Sequence, residues 1–258
     1  MKFKFSKYQA NGNDFIIFKN FSHNFPKKYT TLKELCSRRF GIGADGVIFI
    51  ENCEESDFKM VYYNSDGRLG SFCGNGARCS AKFASDEKII SKQTNFMAHD
   101  GIHQCKIDKN MVHLSMKNIV DIKNIGGDIV IDSGSPHYVK IVKNVRKVNV
   151  FENGRKIRND KLFRSEGINV NFVQIKSKDT YIIRTYERGV ENETLSCGTG
   201  ATAVAVAMHY SNETSSNKIE ISSEGGKMRV EFNENEKKYS DIFLIGLVRK
   251  VFVGEIKI

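Results

Sequence analysis

The sequence predicts a mixed α/β (α+β) protein of two pseudo-symmetric halves, each a many-stranded β-structure wrapped on one central helix. Three observations predict it. A shift of 124 positions, the separation of Cys73 and Cys197, lays Cys73-Gly-Asn-Gly-Ala77 over Cys197-Gly-Thr-Gly-Ala201, so both halves carry C-G-x-G-A. Short segments rich in β-branched and aromatic residues, bounded by turn residues, outnumber helical ones in both halves. The segments that follow the two cysteines are rich in small and apolar residues, the composition of a helix buried on all sides.

In chain order, 3–5 and 14–18 read as strands, the second opening after the turn residues Asn11-Gly12. Residues 30–39 have the spacing of an amphipathic helix that ends near Gly41. Strands follow at 46–50 and 59–63. The segment 75–85 is a helix rich in Ala, with its glycines confined to the first turn. In the second half 129–131, 138–142, 171–176 and 181–186 are strands, 199–210 (TGATAVAVAMHY) is the second buried helix, and 218–222 and 227–232 are strands again. The gapless shift also places Asn13 over His137 and Tyr62 over Tyr186. Two units of 124 leave about ten C-terminal residues that belong to neither and could pair back onto either half.

With 258 residues, 40% of them hydrophobic and 27% charged, the chain is long enough for one large domain or two smaller ones. A disulfide-stapled miniprotein and a disordered chain are both excluded. The formal charge of +10 raises nucleic acid as a partner. Its lysines, however, are scattered singly or in pairs without interleaved aromatics, which is the pattern of a solvated surface. No stretch approaches the roughly 18 uncharged apolar residues of a membrane span, and the N-terminus lacks the apolar core of a signal peptide. The expectation is a cytoplasmic protein that binds neither nucleic acid nor membrane. None of the six cysteines forms a C-x-x-C pair, so no metal is expected, and the default for each is a small buried hydrophobe.

Cys73 and Cys197 depart from that default. A thiol beside the first turn of a helix meets unpaired N–H groups and the positive end of the helix dipole, which bring its pKa from about 8.5 into the range of roughly 3.5 to 7.5. The same N–H groups, approached closely over glycine, suit a carboxylate or phosphate. If the duplication brings the two thiols to opposite sides of one ligand, a thiolate can take a proton from one face of a carbon while a thiol delivers one to the other. A redox pair, a single nucleophile partnered by His137, and a phosphate site remain open on these residues alone. The first lacks C-x-x-C and the last lacks the P-loop lysine.

Tyr8-Gln-Ala-Asn-Gly-Asn13-Asp-Phe, Gly41-Ile-Gly-Ala-Asp-Gly46, Asn64-Ser-Asp-Gly, Cys73-Gly-Asn-Gly-Ala-Arg-Cys79, Ser135-Pro-His137, Ile168-Asn169-Val-Asn-Phe172, Glu187-Arg-Gly and Glu193-Thr-Leu-Ser-Cys197-Gly-Thr-Gly200 together resemble the diaminopimelate epimerase family. The resemblance spans nearly the whole chain. It implies an isomerase without cofactor that interconverts LL- and meso-diaminopimelate for lysine and peptidoglycan synthesis, and a homodimer. It implies two halves, 1–120 with a returning tail 249–258 and 121–248, each a β-barrel-like sheet around its helix, with the active site in the cleft between them.

Carried over by position, the resemblance makes Cys73 the proton donor and Cys197 the acceptor. It has Gly74, Asn75, Gly198 and Thr199 hold the α-carboxylate through helix-start N–H groups. Asn13, Asn64, Asn169 and Arg188 would contact the distal amino and carboxylate groups, and His137 and Glu187 would tune the thiols, Glu187 also bordering the substrate. A bidentate arginine suits a carboxylate, and asparagines orient a zwitterion without adding charge. This chain departs from the family pattern in three places. Ser135 stands where many relatives have Asn, Gly46 replaces a glutamine that some members use, and the segment Val190-Glu-Asn-Glu193 holds one residue more than the commonest form.

Overall fold

The computed structural model describes residues 1–70 and 72–258. Its fold is mixed α/β and divides into two units, Met1–Leu114 with Gly246–Ile258, and Ser115–Ile245.

The first unit opens with β1 (Lys2–Ala10) and β2 (Asn13–Lys19), an antiparallel hairpin. Its turn residues Asn11 and Gly12 both have positive φ, 52° and 81°, as the tightest hairpin connections require. Helix α1 (Tyr29–Cys36) buries Leu32, Leu35 and Cys36. It stops three residues before the sequence predicts, because Ser37 turns extended and the N–H groups of Gly43 and Ala44 take the carbonyls of Leu35 and Cys36.

Strand β3 (Gly46–Glu51) is buried throughout and lies between β2, to which it is parallel, and β4 (Phe58–Asn64), to which it is antiparallel. The period of two divides its side chains between two layers. Val47 and Phe49 join Ile16, Phe18, Phe25, Leu32 and Leu35 in a core under α1. Phe15, Ile48 and Met60, on the other face, meet Gly76 in the first turn of α2 (Gly74–Asp86). Strands β5 (Gln93–Ala98), β6 (Gly101–Asp108) and β7 (Met111–Ser115) continue the sheet. The sequence reading left these three unassigned. Each is buried on one side only, and the outward Gln93, Asn95, Gln104 and Lys106 dilute the apolar signal.

The second unit contains β8 (Ile122–Ile125), β9 (Asp128–Asp132), β10 (Pro136–Ile141), α3 (Val150–Arg158), β11 (Asn169–Ser177), β12 (Thr180–Glu187), the short β13 (Asn192–Thr194), α4 (Gly198–Tyr210), β14 (Lys218–Ser223) and β15 (Gly226–Asn235). Here too parallel pairs, β10 with β11 and β12 with β14, flank an antiparallel one, β11 with β12. Val170, Phe172 and Tyr186 form a core with Val150 of α3. The opposite face carries His137, Asn169, Asn171 and Thr185. Sequence reading missed α3, whose nine residues include four charged ones and a glycine; Asn149 caps it through the N–H of Glu152. The last strand, β16 (Lys238–Lys257), pairs antiparallel with β1, Lys2 opposite Lys257, and closes the eight strands of the first unit into a barrel.

The gapless repeat is corrected at one point. Tyr62 contacts Phe15 on the α2 side of its sheet, whereas Tyr186 lies in the core beside α3. The residue of β12 that faces the central helix is Thr185, which bonds Asn171. The halves slip by one position here, and in a strand one position changes the face. Among the described residues no helix is long and apolar enough to cross a membrane.

Candidate active site

Both cysteines are helix N-caps. Cys73 precedes α2 with φ −124° and ψ 111°, and Cys197 precedes α4 with φ −123° and ψ 116°. Each sulfur accepts from the backbone N–H three residues on, Gly76 at 3.5 Å and Gly200 at 3.4 Å. A cap of this kind satisfies one of the orphan donors of the first turn and places the sulfur at the positive end of the helix, where the thiolate is favoured. Gly74 and Asn75, and likewise Gly198 and Thr199, are the first residues of the two helices, where N–H groups point outward to an anion.

In the first unit Asn13 stands beside Cys73. Its Oδ1 lies 3.7 Å from the sulfur and 3.3 Å from Nδ2 of Asn75, while its own Nδ2 donates to Asp45 at 2.7 Å. Asp45 accepts from Arg38 at 2.8 Å, and the same guanidinium grips Asp14 at 2.8 and 2.9 Å. Burial pushes Asp14 up, but Arg38 and Lys7 outweigh it and hold the carboxyl below the ordinary range. Asn75 also accepts from Arg78 at 2.5 Å, and Arg78 makes two 3.0 Å bonds to Asn11.

Asn64 ends β4 opposite Gly46 in the strand register. It is exposed, and its backbone closes the 64–68 turn through a 2.9 Å bond from its N–H to Arg68. A Cβ at Gly46 would collide with the ring of Tyr62, so the place a side chain would fill at position 46 is taken by that phenol.

In the second unit His137 is fully buried. Its Nε2 is 2.9 Å from the Thr199 hydroxyl, which is 3.4 Å from the Cys197 sulfur, so the imidazole reaches the thiol through Thr199. Burial, reinforced by the charge of Arg188, lowers its pKa to about 3, and the ring is neutral. Asn169 donates to Ser135 at 2.9 Å and to the Pro136 carbonyl at 3.1 Å, and accepts from the N–H of Arg188 at 2.8 Å. Arg188 in turn donates to the Glu166 carbonyl at 2.9 Å and to Ser135 at 3.4 Å. Ser135 thus joins Asn169 to Arg188. Glu187 accepts from Thr194 at 2.8 Å; burial raises its pKa against the opposing effect of that bond. The longer loop after Arg188 is pinned by Glu191, which accepts from Gly189, Arg158 and Tyr186.

The structure therefore gathers Asn13 and Asn75 around Cys73. Around Cys197 it gathers Thr199 and His137, with Ser135, Asn169 and Arg188 as a second bonded group that touches His137 through Asn169. Among the residues of these networks that the sequence reading gave no role are Asp45, Arg78, Asn171 and Thr185. Asp45 and Arg78 lie inside motifs already singled out. Asn171 and Thr185 stand two positions from Asn169 and Glu187, on the same faces of their strands, so the period of two could have found them. Of the other cysteines, burial raises Cys36 to about 12 and pushes Cys79 and Cys105 well above the ordinary thiol range, which makes all three inert.

Comparison with known proteins follows the same residues. The family model described as diaminopimelate epimerase matches residues 5–119 and 129–251. The diaminopimelate epimerase of Flavobacterium psychrophilum is 48% identical over 251 residues, covering 96% of this chain and 98% of the relative. That of Aquifex aeolicus is 37% identical over 274 residues, covering 98% and 97%. A PhzF-family phenazine biosynthesis protein of Bacillus anthracis shares the fold, with a TM-score of 0.77 at 14% identity over all of both chains. A probable proline racemase of Agrobacterium radiobacter does so with 0.70 at 13%, over 99% of this chain and 93% of that one.

Proposed function

The chain belongs to the diaminopimelate epimerase family, and from that membership we propose that it interconverts LL- and meso-2,6-diaminopimelate with Cys73 and Cys197 as its two bases. The observation that carries the proposal is the pair of N-cap cysteines with matching backbone geometry, in a chain 48% identical to a diaminopimelate epimerase.

In this reading the α-carboxylate rests on the first-turn N–H groups of Gly74, Asn75, Gly198 and Thr199. Those donors stabilise the charge that grows on it as the α-carbon loses its proton. The Cys197 thiolate takes that proton and the Cys73 thiol supplies another to the opposite face, so one C–H bond breaks, one forms, and the two sulfurs exchange protonation states. The reverse reaction starts from the exchanged form. No cofactor enters the proposed scheme. The distal amino and carboxylate groups fall to Asn13, Asn64, Asn169 and Arg188, with Glu187 bordering them. The fork of Arg188 supports this role, since a guanidinium can hold a carboxylate by two parallel bonds. A homodimer acting in the cytoplasm on a lysine and peptidoglycan precursor completes the proposal.

The test is substitution of each cysteine. Cys73→Ser and Cys197→Ser should each reduce epimerisation of LL-diaminopimelate by at least about 10³-fold, within the range expected when a general acid or base is lost. Near-wild-type turnover in either would refute the two-base assignment. Faster turnover of another amino acid than of LL-diaminopimelate would move the substrate assignment instead.

A further inference from the structure

The repeat makes the two thiols equivalent in sequence and gives each a backbone N–H donor, but the side chains set beside them, Asn13 and Thr199, differ in polarity. His137 Nδ1 lies 3.0 Å from the amide nitrogen of Asn171, which is also 3.2 Å from the carbonyl oxygen of Tyr138. Oδ1 of Asn171 accepts from the Thr185 hydroxyl at 2.9 Å. A carbonyl can only accept, so the NH2 of Asn171 must face Tyr138, and it is this NH2 that meets Nδ1. Nδ1 is then an acceptor, and the single proton of the neutral imidazole sits on Nε2. Nε2–H donates to Thr199 at 2.9 Å, which leaves the hydroxyl hydrogen of Thr199 to point at the Cys197 sulfur, 3.4 Å away.

We infer that Asn171, acting through His137 and Thr199, is a positioning residue that presents a hydrogen-bond donor to Cys197 and so favours its proton-accepting form. At the position equivalent to His137 the first half has Asn13. Its amide nitrogen is committed to Asp45, so the acceptor Oδ1 faces Cys73 and receives the thiol proton. Beyond the backbone N–H that each receives, Cys197 is given a side-chain donor and Cys73 a side-chain acceptor.

Asn169 also comes within 3.5 Å of Nε2, but its two amide hydrogens have their acceptors in Ser135 and Pro136. The charged groups of the adjoining strand end are Glu187 and Arg188. Glu187 bonds Thr194, and Arg188 bonds Glu166, Ser135 and Asn169, so neither fixes the imidazole proton. Asn171 also explains the last residue of C-G-T-G. A Cβ at Gly200 would stand 2.6 Å from its Oδ1, so only glycine admits the amide there.

The inference deepens the two-thiol reading, and its test uses no substrate, so it can fail without the epimerase assignment failing. The tautomer of His137 is read from ring 15N shifts, assigned by difference from His137→Gln. The protonation of each cysteine is read from the pH dependence of iodoacetamide alkylation, resolved by peptide mass spectrometry. Wild type should show the Nε2–H tautomer. Asn171→Asp, which sets an acceptor-only carboxylate against Nδ1, should switch it to Nδ1–H. Thr199→Val, which removes the hydroxyl without adding charge, should raise the Cys197 midpoint by about one pH unit, a tenfold loss of thiolate below it, and leave Cys73 unmoved. Thr199→Ser should restore it. A wild-type Nδ1–H tautomer overturns the inference, and that measurement needs neither Asn171→Asp nor Thr199→Val to fold. So does a Cys197 midpoint unmoved in Thr199→Val, or a shift shared by both cysteines.

Discussion

Arg78 shows what a single side chain contributes beneath the reactive groups. It is wholly buried, forms no ion pair with a carboxylate among the described residues, and spends its guanidinium on Asn11 and Asn75, the residues at the β1–β2 turn and the first turn of α2. A donor-only group fixes which way both amides face, and so fixes Nδ2 of Asn75 toward Asn13. Arg78→Met should therefore cost about 3 kcal/mol or more, since hydrogen bonds to a charged group contribute roughly 1.5–3 kcal/mol each and two buried acceptors lose theirs; urea unfolding measures it. A loss under about 1 kcal/mol would show that the amides find other donors. The motif residues around the thiols were legible in the sequence because they sit in tight turns and caps with few alternatives. Asn171 and Thr185 were not singled out: the period of two puts them on the faces of Asn169 and Glu187, but what they bond is set by strand partners distant in the chain. Tyr62 was misassigned because identity with Tyr186 at the right spacing says nothing about which face a strand presents.

The two central helices were legible for a different reason. Residues 199–210 are apolar all round, and the observed α4 (Gly198–Tyr210) buries nearly every residue. The C-terminal end of α1 and the existence of α3 were not legible, since both depend on tertiary partners: carbonyls of α1 taken by Gly43 and Ala44, and a core for α3 supplied by β11 and β12. The first turn of α4 offers a direct check on how the helix is seated. Gly200→Ala should shift or eject the Asn171 amide, lower the melting temperature by several degrees, and reduce alkylation of Cys197 more than that of Cys73. An alanine variant with unchanged melting and equal alkylation of both thiols would mean that the amide has room to move.

Across the whole fold, acid is the direction of weakness. The imidazole of His137 titrates near 3 in the folded chain and near the ordinary value of about 6.5 when unfolded. Unfolded chains therefore bind the extra proton first, and the stability His137 supports is full above about 6.5 and lost as pH falls toward 3. Asp14, held below its ordinary value of about 3.9, adds a loss that begins near pH 4 and extends lower. Glu187, raised by burial, works the other way and costs stability as it ionises. The melting temperature of wild type should fall on acidification from pH 6.5 to 4, and His137→Gln should flatten that slope; equal slopes would place the sensitivity elsewhere. The duplication itself was legible from C-G-x-G-A, while the return of the tail was implied by the family resemblance alone, because an apolar tail can pair with either half until its register is seen. What the duplicated fold is for is tested most directly by turning over LL-diaminopimelate in deuterated water. The account predicts that each inversion places one solvent deuterium on the α-carbon, and that Cys73→Ser and Cys197→Ser both fail to invert. Inversion with full retention of the original hydrogen, or normal turnover with either thiol removed, would contradict it.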